Sequence, residues 1–271
     1  MGLYRRNVAM GKFDGILICS DWDGTLYSGS EVPERAREAI GYFMSEGGKF
    51  AITSGRDSAY IKANEHYIKP NTYCICYGGS LIVDVDSGEV LRKGGLGEDV
   101  TDTVDKMLAS DVEITRINAF TEDGIKHYTP AEYHEFGKDE IRALHNYKMT
   151  FNTADEAEGE RLLKLTADFH STEYVFARSF ASYLELFNRE YTKGKAARVL
   201  KDALGAGVLV GMGDYENDIT LFSDCDISFA VANAADSLKQ VATYVTEATV
   251  SDSAAAEIIE RLEGLRLAGK I

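Results

Sequence analysis

Two aspartates, Asp21 and Asp23, end an apolar run in "ICSDWDGTLYSG", residues 18–29. Carboxylates so close repel each other, and burying either one unpaired is costly. Other groups in the chain could offset that cost. Ser54, Gly55 and Arg56 follow "FAIT", Lys193 opens "KGKAARVLKDAL", and Asp214, Asn217 and Asp218 follow "VLVGMG". Asp21, Asp214 and Asp218 would form an oxygen-rich acidic pocket. Hard oxygen ligands suit Mg²⁺, which binds one or two carboxylates together with a phosphate. Lys193 and the Ser54 hydroxyl would then supply local positive charge and hydrogen bonds for an anion. Gly24 and Gly55 would let backbone N–H groups approach its oxygens.

These residues can meet only if the elements that carry them lie side by side. "GILIC", "KFAIT" and "YCICY" read as short apolar strands. Between them, "PERAREAIGYFMSEGG" and "DSAYIKANEHYI" have helical spacing, with Pro33 at the start of one and Asp57 as N-cap of the other. Continuous apolar strands alternating with helices predict a parallel sheet covered on both faces. Ligands of such sheets bind at the carboxyl ends of the strands, where the acids fall.

The pattern changes near residue 80. "LIVDVDSGEVLRK" reads as a hairpin, and strand pairs mixed with helices follow, including a helix over about 131–146. Near residue 190 the strand–helix alternation resumes. The expected fold is α/β: a Rossmann-like parallel-sheet core, residues 1–82 and 188–271, with an inserted α+β cap domain, residues 83–187.

Bulk composition narrows the partners. The chain has 271 residues and a formal net charge of −15. An acidic surface argues against nucleic acid and anionic membrane, so the attraction for an anionic substrate must be local. No apolar run is long enough to cross a bilayer. "MGLYRRNVAMGKFDG" lacks the apolar segment of a secretory signal and reads as a short disordered lead, with Met10 a candidate alternative start. Cys19, Cys74, Cys76 and Cys225 read as buried hydrophobes of a reducing cytoplasm. The five histidines, 66, 127, 134, 145 and 170, show no metal spacing and read as surface residues, and Tyr128, Tyr133 and Tyr147 as cap core. Trp22 is expected to point away from its acidic neighbours into packing. Arg56 is balanced between pairing with Asp57 or a core acid and a role at the site.

In their order, "DWDGTL", Ser54 in "TSGR", Lys193 and "GDYENDI" resemble the four motifs of the haloacid dehalogenase superfamily of phosphohydrolases. The "TSGR" and "GDxxNDI" forms, and an insert between the second and third motifs, resemble its Cof-type branch with a class II, subtype B cap. The resemblance spans essentially the whole chain. It implies that Asp21 is the nucleophile that forms an aspartyl-phosphate and that Asp23 is general acid and then general base. It implies that Ser54, Gly55, Lys193 and Asn217 hold the phosphate. Asp21, the carbonyl of Asp23, and Asp214 would bind Mg²⁺, with Asp218 helping directly or through water. Catalysis would be mostly positioning and charge stabilisation. One departure stands out: where relatives carry Asn-Gly after the third strand, this chain has Tyr77-Gly78-Gly79, a position expected at the cap hinge and within reach of substrate.

Three functions fit these residues. The leading one is a cytoplasmic Mg²⁺-dependent phosphatase, monomer or homodimer, acting on a small phosphorylated metabolite such as a sugar phosphate. The second is a phosphosugar mutase resembling phosphomannomutase, which would need a bisphosphate activator. The third is a non-catalytic regulator that binds a phosphorylated metabolite.

Overall fold

A computed structural model describes residues 11–271. Most of the expected lead, with Met10, falls outside the described residues, but its last part is not disordered: Phe13 is buried in the core and donates its N–H to the carbonyl of Glu46 at 2.9 Å. Five parallel strands form the central sheet in the order β13-β12-β11-β1-β2. They are β1 (Ile16–Ser20), β2 (Lys49–Ile52), β11 (Val208–Gly213), β12 (Ile227–Ala230) and β13 (Tyr244–Val245). Both faces are dry because β1 alternates between two cores. Ile16 and Ile18 pack with α1 (Glu34–Ser45) and α10 (Ala254–Leu267), while Leu17 and Cys19 pack with α7 (Lys193–Leu204) and α8 (Ile219–Asp224). Burial on both sides leaves few polar positions inside the strands, such as Ser20 and Ser228, which is why they read as nearly unbroken apolar runs. All four cysteines are free; three are buried and Cys225 is partly buried.

One strand departs from expectation. β3 (Cys74–Cys76) meets the parallel sheet only through the bridge Thr53–Ile75. It belongs instead to an antiparallel three-stranded sheet with β4 (Leu81–Val83) and β5 (Val90–Lys93). The cause is the turn after it. Tyr77, Gly78 and Gly79 all take positive φ, at 51°, 69° and 118°, and this folds β4 straight back onto β3. β4 spans the expected 82/83 junction and is paired on both sides, so β5 is tied to the flank of the core.

The inserted unit is an antiparallel sheet in the order β7-β6-β8-β10-β9. Its strands are β6 (Ile114–Thr121), β7 (Gly124–Tyr128), β8 (Asn146–Thr153), β9 (Tyr174–Phe180) and β10 (Tyr183–Asn188). One face carries Ile117, Ala119, Met149, Phe151, Leu184 and Leu186, packed in one cluster with residues of α3 (Val100–Leu108) and α6 (Glu156–Ala167). Tyr128 and Tyr133 are buried in this cluster, as expected; Tyr147 is also buried but packs with the cluster of the parallel-sheet core rather than with the cap core. The helix expected over about 131–146 is present and runs without a break from Pro130 to Ala143: α4 (Pro130–Glu132) passes through a π-helical turn at Tyr133–Gly137 into α5 (Lys138–Ala143), ending three residues early. Gly137 lies against the Tyr128 ring, and the Tyr133 hydroxyl donates to the carbonyl of Thr101 at 3.0 Å. These two anchors set the segment's path, and β8 begins before a longer helix could form.

Candidate active site

The backbone carries the acids to one edge of the sheet. Asp21 extends the β1 ladder by donating its N–H to Met212, at 3.0 Å, and Ser54 donates its N–H to Ile75, at 2.8 Å. Lys193 sits in the first turn of α7, whose N-cap Thr192 accepts from the N–H of Lys195. The Lys193 ammonium, 1% exposed, donates to Asp21 Oδ1 at 2.7 Å and to Asp218 Oδ1 at 2.6 Å. Asp218 is fully buried, and its second oxygen accepts the N–H groups of Asp214 and Tyr215, at 3.0 and 3.3 Å. Asp218 thus braces both the lysine and the loop that carries Asp214.

Carboxylate oxygens of Asp21, Asp214 and Asp218 lie within 4.8 Å of one another. If all three were ionised, the single ammonium would leave an excess of two negative charges. Burial and the neighbouring acids push the Asp21 carboxyl well up, against the pull of Lys193. Burial, then Asp218, pushes Asp214 up to about 7. For Lys193, burial acts downward but the two flanking carboxylates outweigh it, so its pKa rises and it stays charged. Asp214 accepts from the Thr25 hydroxyl at 3.1 Å. Gly24, at φ 79°, passes so close to this carboxylate that a Cβ there would collide with it. An anionic, oxygen-only cluster with surplus charge fits a hard divalent cation. Thr25 is the companion that sequence reading missed, although it belongs to the same "DGT" turn.

Asp23 stands at the open side of this cluster. Arg56 grips it with two parallel hydrogen bonds, Nε to Oδ2 at 2.9 Å and Nη2 to Oδ1 at 3.2 Å. The guanidinium also lies over the Tyr60 ring, 4.7 Å from its centroid. Arg56 therefore pairs with Asp23 and not with Asp57, which caps α2 (Ser58–Ala63). Ser54 Oγ accepts the N–H of Arg56 at 3.1 Å, leaving its proton free. Asn217 Oδ1 is buried without a partner on the cavity wall. Trp22 turns away into the core and stacks on Tyr27.

Above these groups is a cavity of about 630 Å³. Asp21, Asp23, Ser54, Gly55, Asp214 and Asn217 line its floor, while Lys193 and Asp218 lie beneath. Its roof is the second face of the inserted sheet. Arg116, Asn118 and Phe120 of β6, Lys148, Thr150 and Asn152 of β8, and Tyr183 and Glu185 of β10 all line it. Asn118 donates to Thr150 Oγ1 and Asn152 Oδ1, and its own Oδ1 is 2.7 Å from His127 Nδ1. His127 is exposed, as expected of a surface residue, but it stands at the cavity and belongs to this network. The missed signal is period-two alternation: in "NYKMTFNT" Lys148, Thr150 and Asn152 alternate with Met149 and Phe151. Tyr77 lies outside the cavity wall. Its ring is stacked on Tyr147, with centroids 4.3 Å apart, so it joins core to insert at the hinge.

A further seam joins roof and floor. Arg178 of β9 donates to both carboxylate oxygens of Glu216, at 2.8 and 2.6 Å. Glu216 lies between Asp214 and Asp218, so the insert is fastened to the acidic loop itself.

With this fold and this edge of acids, the class is clear. The haloacid dehalogenase-like hydrolase family matches residues 18–259, and the chain belongs to it. The expected enzyme class, a phosphatase of this superfamily, stands, as does the Cof-type resemblance. Among relatives, the chain is 27% identical over 254 residues to the Bacillus subtilis protein named "Putative phosphatase YxeH", covering 85% of this chain and 92% of that one. It is 24% identical over 246 residues to B. subtilis 5-amino-6-(5-phospho-D-ribitylamino)uracil phosphatase YcsE, covering 89% and 94%. Among solved structures, the HAD subclass IIB sugar phosphatase BT4131 superposes with a TM-score of 0.72 at 18% identity, covering 90% of this chain and 98% of that one. That likeness supports the core-plus-cap fold. Among the described residues, no helix is long and apolar enough to cross a membrane.

Proposed function

We propose that the chain is a Mg²⁺-dependent, cytoplasmic phosphomonoesterase acting on a small phosphorylated metabolite, such as a sugar phosphate, through an aspartyl-phosphate on Asp21. The observation that carries this reading is the floor itself: three carboxylates around one buried ammonium, next to Ser54 and open to the cavity. The names of the two relatives and of the solved structure, all phosphatases, support it. We assign residues 1–82 and 188–271 to the catalytic unit and 83–187 to the cap that chooses the leaving group.

In the first step an Asp21 oxygen attacks phosphorus as the ester P–O bond breaks. Asp23, with one oxygen released by Arg56, would deliver a proton to the departing alkoxide. In the second step Asp23 takes a proton from water, whose oxygen attacks phosphorus. The acyl-phosphate P–O bond then breaks, releasing phosphate and restoring the Asp21 carboxylate. Arg56 aims the Asp23 carboxyl at the cavity. Lys193, the Ser54 hydroxyl and Asn217 hold the phosphoryl oxygens, with Gly55 leaving room for the backbone. Asp21, the Asp23 carbonyl and Asp214 would hold Mg²⁺, with Asp218 directly or through water. When bound, the cation offsets the surplus negative charge and stabilises charge developing on the transferring group.

The test is phosphate release from phosphorylated sugars and p-nitrophenyl phosphate, with Mg²⁺ and with EDTA. Asp21→Asn should lose about 10⁴-fold or more in kcat, and EDTA should silence the native enzyme. Full activity in Asp21→Asn would overturn the reading. Bisphosphate-dependent isomerisation without phosphate release would replace it with the mutase.

A further inference from the structure

The cap roof contains a buried ion pair that is only partly used. Lys148 Nζ donates to Glu185 Oε1 at 3.0 Å, and the two side chains are 3% and 6% exposed. Glu185 Oε2 is buried and has no partner. A buried pair kept only for structure should have its remaining hydrogen-bonding sites filled, because a carboxylate oxygen left bare in the interior is costly. The ammonium rests against aromatic rings, 4.7 Å from the Phe120 centroid and 5.7 Å from that of Phe187. Rings attract the cation but offer no acceptor for its remaining N–H bonds in the way an oxygen would. Both side chains also line the cavity.

The pair stands close to the phosphate-binding loop. A Cβ added to Gly55 would lie 2.9 Å from Lys148 Nζ and 3.6 Å from Glu185 Oε1. A phosphate ester seated on Ser54 and Gly55 would meet this pair with the first atoms of its leaving group. The pair is neutral overall and presents an acceptor beside a donor. A substrate ammonium there would meet Lys148, and a second phosphate would meet Glu185. A hydroxyl can give a proton to Glu185 and accept one from Lys148 at once.

We propose that Glu185 and Lys148 form the subsite that reads a hydroxyl on the leaving group near the phosphorylated carbon, making the enzyme selective for neutral polyol phosphates over alkyl phosphates. This rests on the phosphatase reading above. A site built around a substrate hydroxyl rejects an analogue that lacks it, because its own buried polar groups are then left unpaired.

The experiment compares kcat/KM for matched pairs: glycerol 1-phosphate against n-propyl phosphate, and sorbitol 6-phosphate against n-hexyl phosphate. p-Nitrophenyl phosphate, which has no alcohol hydroxyl, reports the phosphoryl chemistry separately. The native enzyme should favour at least one hydroxylated partner by about 100-fold or more. Glu185→Gln should reduce that preference about tenfold or more while leaving p-nitrophenyl phosphate turnover within a few-fold. Lys148→Met combined with Glu185→Leu replaces the whole pair with apolar groups, a change buried ion pairs often tolerate without loss of stability. It supplies a folded variant in which the preference should vanish. No preference in the native enzyme, or a preference unchanged in the double variant, overturns the proposal. Loss of p-nitrophenyl phosphate turnover in the native enzyme would instead count against the phosphatase reading.

Discussion

The floor and the roof of the cavity are both polar, but they are built in opposite ways. On the floor, Asp21 and Ser54 are fixed by backbone hydrogen bonds at strand ends, and each oxygen of Asp218 is engaged by Lys193 or by loop N–H groups. On the roof, side chains stand on strand interiors and bond mainly to one another, as Asn118, Thr150, Asn152 and His127 do. Glu185 Oε2 is buried on the roof without a hydrogen-bond partner, whereas on the floor Asn217 Oδ1 alone among the groups named above is left so. A phosphoryl group is the same in every substrate, so a rigid, pre-paid floor suits it. Leaving groups differ, and unspent hydrogen-bonding capacity on the roof is what can tell them apart.

The largest test of this contrast is Lys193→Met. It leaves Asp21 and Asp218 buried without their shared cation, and breaking such a pair costs about 3–5 kcal/mol. We expect that loss in urea unfolding, together with loss of phosphate release. A stability loss near zero would mean that the floor is less tightly braced than its geometry implies.

The seam comes next. Removing Arg178 or Glu216 singly should cost stability and catalysis, and removing both should cost little more than either alone. The coupling expected for such a contacting pair is about 0.5–3 kcal/mol, read from a double-mutant cycle of unfolding midpoints. Additive losses would show that roof and floor are energetically independent at this contact.

The smallest effect is electrostatic. Asp214, raised from its ordinary 3.8 to about 7, keeps its proton in the folded chain where the unfolded chain has lost it. The metal-free fold should therefore lose stability as the pH rises from about 4 to about 7 through this group. We expect the thermal midpoint of the metal-free protein to fall by a few degrees over that window, Asp214→Asn to flatten the slope, and Mg²⁺ to raise the midpoint more at pH 8 than at pH 5. An equal gain at both pH values would place the cation elsewhere.

The contrast also explains what could be read from sequence. Floor residues lie in short segments whose spacing is set by strand-to-loop turns, so Asp21, Asp23, Ser54, Lys193 and Asp214 announce themselves as motifs. The parallel strands were legible for the same reason, since burial on both faces leaves unbroken apolar runs. Roof residues come from all five strands of the inserted sheet and depend on which face turns inward. "NYKMTFNT" shows the alternation but not what its polar face looks at. Arg56 was ambiguous because its partner, Asp23, is distant in sequence. β3 reads from sequence as a further parallel strand, but three residues with positive φ after it, one of them Tyr77, reverse the chain before a longer strand can join the sheet. The helix over 131–146 is legible from its spacing, but the π-helical turn inside it, where Gly137 meets the Tyr128 ring, is not encoded by local propensity.

The free cysteines have a practical consequence. Burial pushes Cys19 and Cys74 up to about 12 and Cys225 up to about 11. At neutral pH roughly one such thiol in ten thousand, or fewer, is ionised, and alkylating reagents attack the ionised form. Cys19 lies two residues before Asp21 inside the central strand, so a reagent reaches it only when the sheet itself comes apart. The rate at which Cys19 is labelled therefore works as a built-in clock for how often the catalytic strand opens, readable by mass spectrometry without introducing a probe.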